Sequence, residues 1–146
     1  MKIHLAARRD RRRYAAKVAA AIAAVGHTIT TRWVSAKGKA AKDPDAAIHS
    51  LVDIAVADCL VFLAQDPRGK GAGAPEATER FVELGYAIRS NTRLMIAGPH
   101  ENTFDRIPEA EHYPSVKTLL AVLADMAALE RLDAPPARPS ETNGSK

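Results

Sequence analysis

The chain holds a single cysteine, Cys59, among its 146 residues. One thiol excludes an intrachain disulfide and a multi-cysteine zinc site, and it fits a reducing compartment. Aromatic residues amount to 5%, too few for the stacking platforms that hold single-stranded nucleic acid. No apolar run approaches the roughly 18 residues that a membrane span requires, and there is no internal repeat. The chain enters a strand-like pattern at Lys2 without signal-peptide character, so a cytoplasmic location is expected. Charge imbalance is small and local. The net charge is +4, and residues 8–13 carry all of it: Arg8, Arg9, Arg11, Arg12 and Arg13, offset only by Asp10. A single basic loop suits a compact anion better than a long nucleic-acid track.

What is present is ordinary globular material, 47% hydrophobic and 26% charged, enough for one domain with its own core. Lys2 to Ala7 reads as a buried first strand, and Asp10 to Val25 as a helix capped by Gly26. The β-branched run from His27 to Val34 reads as strand two. After a polar loop from Ser35 to Lys42, Asp43 and Pro44 open a helix to about Ala57, with Ile48, Leu51, Val52 and Val56 expected to face inward. Cys59 to Ala64 is a continuous apolar run, the expected central strand. The glycine-rich stretch from Gln65 to Pro75 is a loop. Glu76 to Ser90 is a helix with Phe81, Leu84 and Ile88 on one face. Arg93 to Ala97 is a strand closed by Gly98 and Pro99, and a short strand is expected at His112 and Tyr113. Ser115 caps a last helix to about Arg131, and 133–146 form a polar tail expected to be disordered beyond a domain spanning 1–132. Alternating strands and helices predict a three-layer α/β domain with a parallel sheet. Ligands in such sheets bind outside the carboxyl ends of the strands. That rule gathers the arginine loop, the glycine loop and the helix opening at Glu76 around one crevice.

The chemistry-bearing residues are few. Gly69, Gly71 and Gly73 fit neither the Walker phosphate loop nor the dinucleotide fingerprint. The five histidines, His4, His27, His49, His100 and His112, show no metal spacing, so no metal is expected. Cys59 reads as a core residue. Arginines at a helix start are commonly just solvated, but here they oppose the helix dipole, so an anion near Arg8 and a solvated cluster both stand as readings. Glu83 stands on a largely apolar helix two residues before Gly85. A mid-helix glycine costs about 1 kcal/mol against alanine, so it implies close packing or close approach of a ligand. A carboxylate there can attack or stabilise a cationic sugar transition state, and a surface salt bridge is the plainer alternative.

The segments Lys2-Ile3-His4-Leu5-Ala6-Ala7-Arg8, Gly26-His27-Thr28-Ile29-Thr30-Thr31-Arg32-Trp33, Ala57-Asp58-Cys59-Leu60-Val61-Phe62, Val82-Glu83-Leu84-Gly85-Tyr86-Ala87 and Gly98-Pro99-His100-Glu101-Asn102-Thr103-Phe104 recur in a telling order. In that order and spacing the chain resembles the nucleoside 2-deoxyribosyltransferase-like family, which includes deoxynucleoside 5′-monophosphate N-hydrolases. The resemblance covers most of residues 2 to 125. It implies a flavodoxin-like or Rossmann-like sheet of about five parallel strands, a homodimer or larger assembly, and no cofactor. It implies N-glycosidic cleavage, with the sugar passed to another base or to water. On this resemblance Glu83 is the nucleophile, and Arg8 lies in the loop that holds a phosphate. Ala7, Arg9, Ser50, Asp58, Glu79 and Arg80 are the further expected nucleotide contacts.

Two positions depart from the family pattern. Ser50 stands where the family carries an aspartate eight residues before the Asp58 position, and Asp53, on the same helical face, is expected to act as acid or ribose contact in its place. Thr78-Glu79-Arg80-Phe81 replaces a glycine-rich turn. An enzyme of this kind is therefore the leading expectation. The alternatives are a nucleotide-binding or sensing protein on the same fold and a small nucleic-acid-binding domain built on the arginine cluster.

Overall fold

Five consecutive apolar residues, Cys59–Leu63, are too short for a helix and present no polar face to water, so they form a strand that must be covered on both sides. In the computed structural model this strand, β3 (Cys59–Leu63), is buried along its whole length. It pairs in parallel with β1 (Lys2–Ala6) and β4 (Arg93–Ala97), in register Ile3 with Cys59 and Cys59 with Arg93. The edges are β2 (Thr28–Ile29) beside β1 and β5 (Ala110–Tyr113) beside β4, giving the all-parallel order β2-β1-β3-β4-β5. The structure describes residues 1–35, 45–64, 78–101 and 103–133.

Parallel neighbours require crossovers, and helices supply them. α1 (Arg12–Ala24) and α4 (Val116–Leu132) cover one face, packing Val18, Ile22, Leu119 and Leu123 against Ile3, Leu5, Cys59, Val61 and Met95. α2 (Ala46–Ala55) and α3 (Glu79–Arg89) cover the other, with Ile54, Leu84 and Ala87 against Leu60, Phe62, Leu94 and Ile96. Three layers result, the α/β flavodoxin-like arrangement. Chain order reverses between β1 and β3, and the carboxyl ends of strands at such a reversal are where open α/β sheets bind ligands.

Two glycines shape the strand and helix ends. Gly26 ends α1 at φ +109°. Gly98 follows β4 at φ +119°, where a Cβ would come within 2.6 Å of the Ala64 carbonyl oxygen, so only glycine fits. Ser115 Oγ accepts from the Thr118 amide and starts α4 as its sequence predicts.

Several expectations need correction. The run from His27 to Val34 gives only two strand residues, followed by a 3-10 turn at Arg32–Val34. Side chains take over the pairing there: Thr31 Oγ1 accepts from the Leu5 amide at 2.5 Å, and the Arg32 amide donates to Asp53 Oδ2 at 3.1 Å. The first helix starts at Arg12 rather than Asp10, behind a 3-10 turn at Arg9–Arg11. α2 turns the opposite way from its predicted face. It buries Ser50, Asp53 and Ile54, while Ile48, Val52 and Val56 are 60%, 48% and 52% exposed. Ile88 of α3 is likewise exposed. The expected polar loop after Ser35, the Asp43–Pro44 helix start, the glycine loop from Gln65, the start at Glu76 and the tail from 134 lie outside the described residues.

Across the outer pair of strands, Arg93 Nε and Nη2 donate to the two Glu111 oxygens at 2.6 and 3.0 Å, which holds the Glu111 carboxyl below its ordinary range. Tyr113 donates to the same carboxylate, and burial first, then that bond, push its hydroxyl up to about 12. Burial pushes the Cys59 thiol up to about 12. A thiol reagent at about pH 8 should therefore label Cys59 only as fast as the chain opens, with immediate labelling in urea. Rapid labelling of the folded protein would contradict this core.

Candidate functional site

The reversal point places β1, the loop that follows it, and the first turns of α3 around one end of the sheet. β1 alternates between the two cores: Ile3 and Leu5 join the α1/α4 side, which leaves His4 and Ala6 on the α2/α3 side. His4 is fully buried, and neither ring nitrogen has a hydrogen-bond partner among the described residues. Its Nε2 lies 3.6 Å from Glu83 Oε1, beyond hydrogen-bond range. Glu83, with its residue 8% exposed, makes no other ionic contact among the described residues.

One turn earlier on α3, Arg80 is buried among aromatic rings. Its guanidinium carbon lies 5.2 Å from the ring centroids of both Phe62 and Phe81. Nη1 donates to the Leu63 carbonyl oxygen at 3.1 Å, and Nη2 donates to Glu101 Oε2 in the segment after β4. This guanidinium ties the start of α3 to the end of β3, and it fixes where Glu83 emerges three residues later. Arg80 is thus a structural anchor of the crevice, with its fork facing protein groups.

The basic loop is more occupied than its charge implies. Arg8, 3% exposed, forms a two-pronged pair with Asp10 at 2.9 and 2.6 Å. That bond holds the Asp10 carboxyl below its ordinary range against the opposing effect of burial. Arg9 pairs with Glu79 at 2.5 Å and lies over Trp33, which joins the loop after β1 to the first turn of α3. Arg11 lies over Tyr14. Arg12 and Arg13 have no ion-pair partner among the described residues; with Asp10, Arg11, Ala16 and Val34 they line an open hollow of about 700 Å³ beside α1. α1 belongs to the α1/α4 layer and Glu83 to the other, so this cationic hollow and the Glu83 carboxylate lie on different faces.

Asp53 and Ser50 share the buried side of α2. Both Asp53 oxygens are engaged by Arg32, Oδ1 by Nε at 2.6 Å and Oδ2 by the amide. Ala7 is buried at the end of β1. Asp58 departs from its expected place. It lies at the amino end of β3, where Oδ2 accepts from the Lys2 amide at 2.7 Å, across the sheet from the crevice. Gly85 is exposed, and a Cβ there would meet nothing within 4 Å, so close packing does not explain it.

His4 and Glu101 are the residues that sequence reasoning missed as partners of this site. The available signal for His4 was period-two alternation, which set an imidazole at an inward position of a strand buried on both faces. Among the described residues no group of three His, Cys, Asp or Glu side chains is placed to hold a metal ion, and no helix is long and apolar enough to cross a membrane. The chain matches no protein-family model, no curated protein and no solved structure.

Removing the Arg80 guanidinium breaks its pair with Glu101, and breaking one half of a buried pair costs about 3 kcal/mol or more. Arg80→Ala should lower the unfolding free energy by that order in urea titration. Arg80→Lys should recover only part, because an ammonium lacks the fork. An Arg80→Ala protein as stable as the parent would remove the anchor from this description.

Proposed function

We propose that the protein cleaves or transfers the N-glycosidic bond of a (deoxy)nucleoside or its 5′-monophosphate, with Glu83 as nucleophile. The observation that carries the reading is a buried glutamate with no guanidinium partner among the described residues, on the helix after β3, beside the reversal point where this architecture binds ligands. The resemblance to the nucleoside 2-deoxyribosyltransferase-like family supports the same residue. A Glu83 oxygen attacks the anomeric carbon, the carbon–nitrogen bond breaks, and the base departs with its electron pair and takes up a proton. Water or a second base then attacks the same carbon, and the Glu83 carboxylate leaves.

Asp53, with both oxygens accepting from Arg32, is suited to orient a sugar hydroxyl rather than to give up a proton. Arg8 and Arg9 form the loop assigned to the 5′-phosphate. Their pairing with Asp10 and Glu79 means that a phosphate has to displace or share those carboxylates. On this reading Glu79, Arg80 and Ser50 are the further nucleotide contacts, while Asp58, at the amino end of β3, takes no part. A reducing, cytoplasmic setting suits the lone buried thiol.

One observation favours a second reading, binding without turnover. The acid position is held by Arg32, and Ser50 stands where the family carries a carboxylate. Incubation with a panel of deoxynucleosides and their monophosphates, followed by chromatography, separates the two readings. Base release or exchange that falls at least about a hundredfold in Glu83→Gln supports catalysis. Melting-temperature shifts with the same panel and no base release support binding alone.

We also propose a homodimer formed through α2 and α3. Ile48, Val52 and Val56 make a helical stripe on α2, and Val82 of the neighbouring α3 is 67% exposed. The protein should sediment as a dimer, and Val52→Lys with Val82→Lys should produce a folded monomer. A monomeric parent would contradict this assignment.

A further inference from the structure

A fully buried imidazole with two unpartnered nitrogens is an expensive feature in a folded core, because native structures pair nearly all such groups. His4 sits on β1 in register with Leu60, and the side chains that share its face are Ile54, Leu84, Ala87 and Ala6, which offer no hydrogen bond. The polar groups nearby are committed elsewhere: Arg80 to Leu63 and Glu101, Asp53 to Arg32. Glu83 is the ionisable group that approaches it, 3.6 Å away. A shift of well under 1 Å, of the size a χ rotation on α3 supplies, turns that gap into a hydrogen bond.

We propose that His4 is the positioning residue for Glu83. Its Nε2–H donates to Oε1 when the crevice is occupied, holding the carboxylate plane so that Oε2 faces the anomeric carbon. The donor is present both in the Nε2–H tautomer and when the ring carries two protons. His4 does not touch the reacting atoms and acts only through Glu83. The same bond assists the second half of the reaction: negative charge returns to the carboxylate as the sugar leaves, and a donor already aimed at Oε1 stabilises it. The effect therefore falls on kcat. This role rests on the reading of Glu83 as nucleophile, whereas the His4–Glu83 hydrogen bond can be read independently of turnover.

Long-range proton–nitrogen NMR of the full chain, uniformly labelled and saturated with a 2′-deoxynucleoside 5′-monophosphate, tests the bond. His4 should carry its proton on Nε2, and the Nε2 resonance should move in Glu83→Gln. A proton on Nδ1 alone, or an Nε2 resonance indifferent to Glu83→Gln, overturns the proposal. Kinetics with the same monophosphate test the role. His4→Leu should lower kcat about a hundredfold and leave KM within about twofold. His4→Gln, which keeps a donor at the same reach, should restore most of the loss. Equal kcat in His4→Leu and the parent overturns the positioning role, as does failure of Gln to rescue in a protein with native circular dichroism. If the parent releases no base, the reading of function fails, and the NMR result alone decides the His4–Glu83 bond.

Discussion

The whole architecture follows from one constraint: β3 offers water nothing. Its five residues are buried on both faces, and its two edges are filled by β1 and β4. Parallel neighbours on both sides force helical crossovers above and below, and chain order reverses between β1 and β3, the point at which such sheets bind ligands. That reversal places the arginine loop and the first turns of α3 at one end of the sheet. The arginine loop leaves β1 beside it, and α3 brings Glu83 to the covered face a turn after Arg80 locks the helix to the end of β3.

Charge in this region is organised by pairing. The excess of +4 reads in sequence as an open invitation to an anion, yet Arg8 is folded onto Asp10 and Arg9 onto Glu79. Arg12 and Arg13, one turn later on the α1 side, have no ion-pair partner among the described residues. Glu83 is the reverse case, a nearly buried carboxylate whose ionic neighbour among the described residues is an imidazole just out of hydrogen-bond range. Arg8, Arg9 and Arg80 are thus each paired with a carboxylate, whereas Glu83 has no guanidinium partner among the described residues.

The strands were legible because apolar continuity and turn residues mark them without reference to anything distant. β4 falls on Arg93–Ala97 as read, and β1 and β3 each end within one residue of their predicted limits. The face of α2 was not legible. Its apolar residues Ile48, Val52 and Val56 point outward, while Asp53 is drawn inward by Arg32, a residue far from it in sequence. The shortness of β2 has the same origin, since Thr31 and Asp53 side chains replace backbone pairing. Within the site, Glu83 stood out as a carboxylate on an apolar helix. His4 did not, because its significance depends on a contact across the sheet-to-helix interface that no local pattern encodes. Asp58, which the resemblance assigns to the nucleotide, lies at the amino end of β3 on the Lys2 amide, a placement that depends on the pairing of β1 with β3.

The central claim is that Glu83 bonds covalently to the anomeric carbon of a sugar. The direct measurement is peptide mass spectrometry after incubation with 2-fluoro-substituted deoxynucleotide analogues, whose fluorine opposes the cationic transition state and slows breakdown of a glycosyl-enzyme. The account predicts a fluorosugar adduct on the peptide containing Glu83, with stoichiometric release of base. Base release with no adduct, or an adduct on Asp53 or another carboxylate, would contradict it.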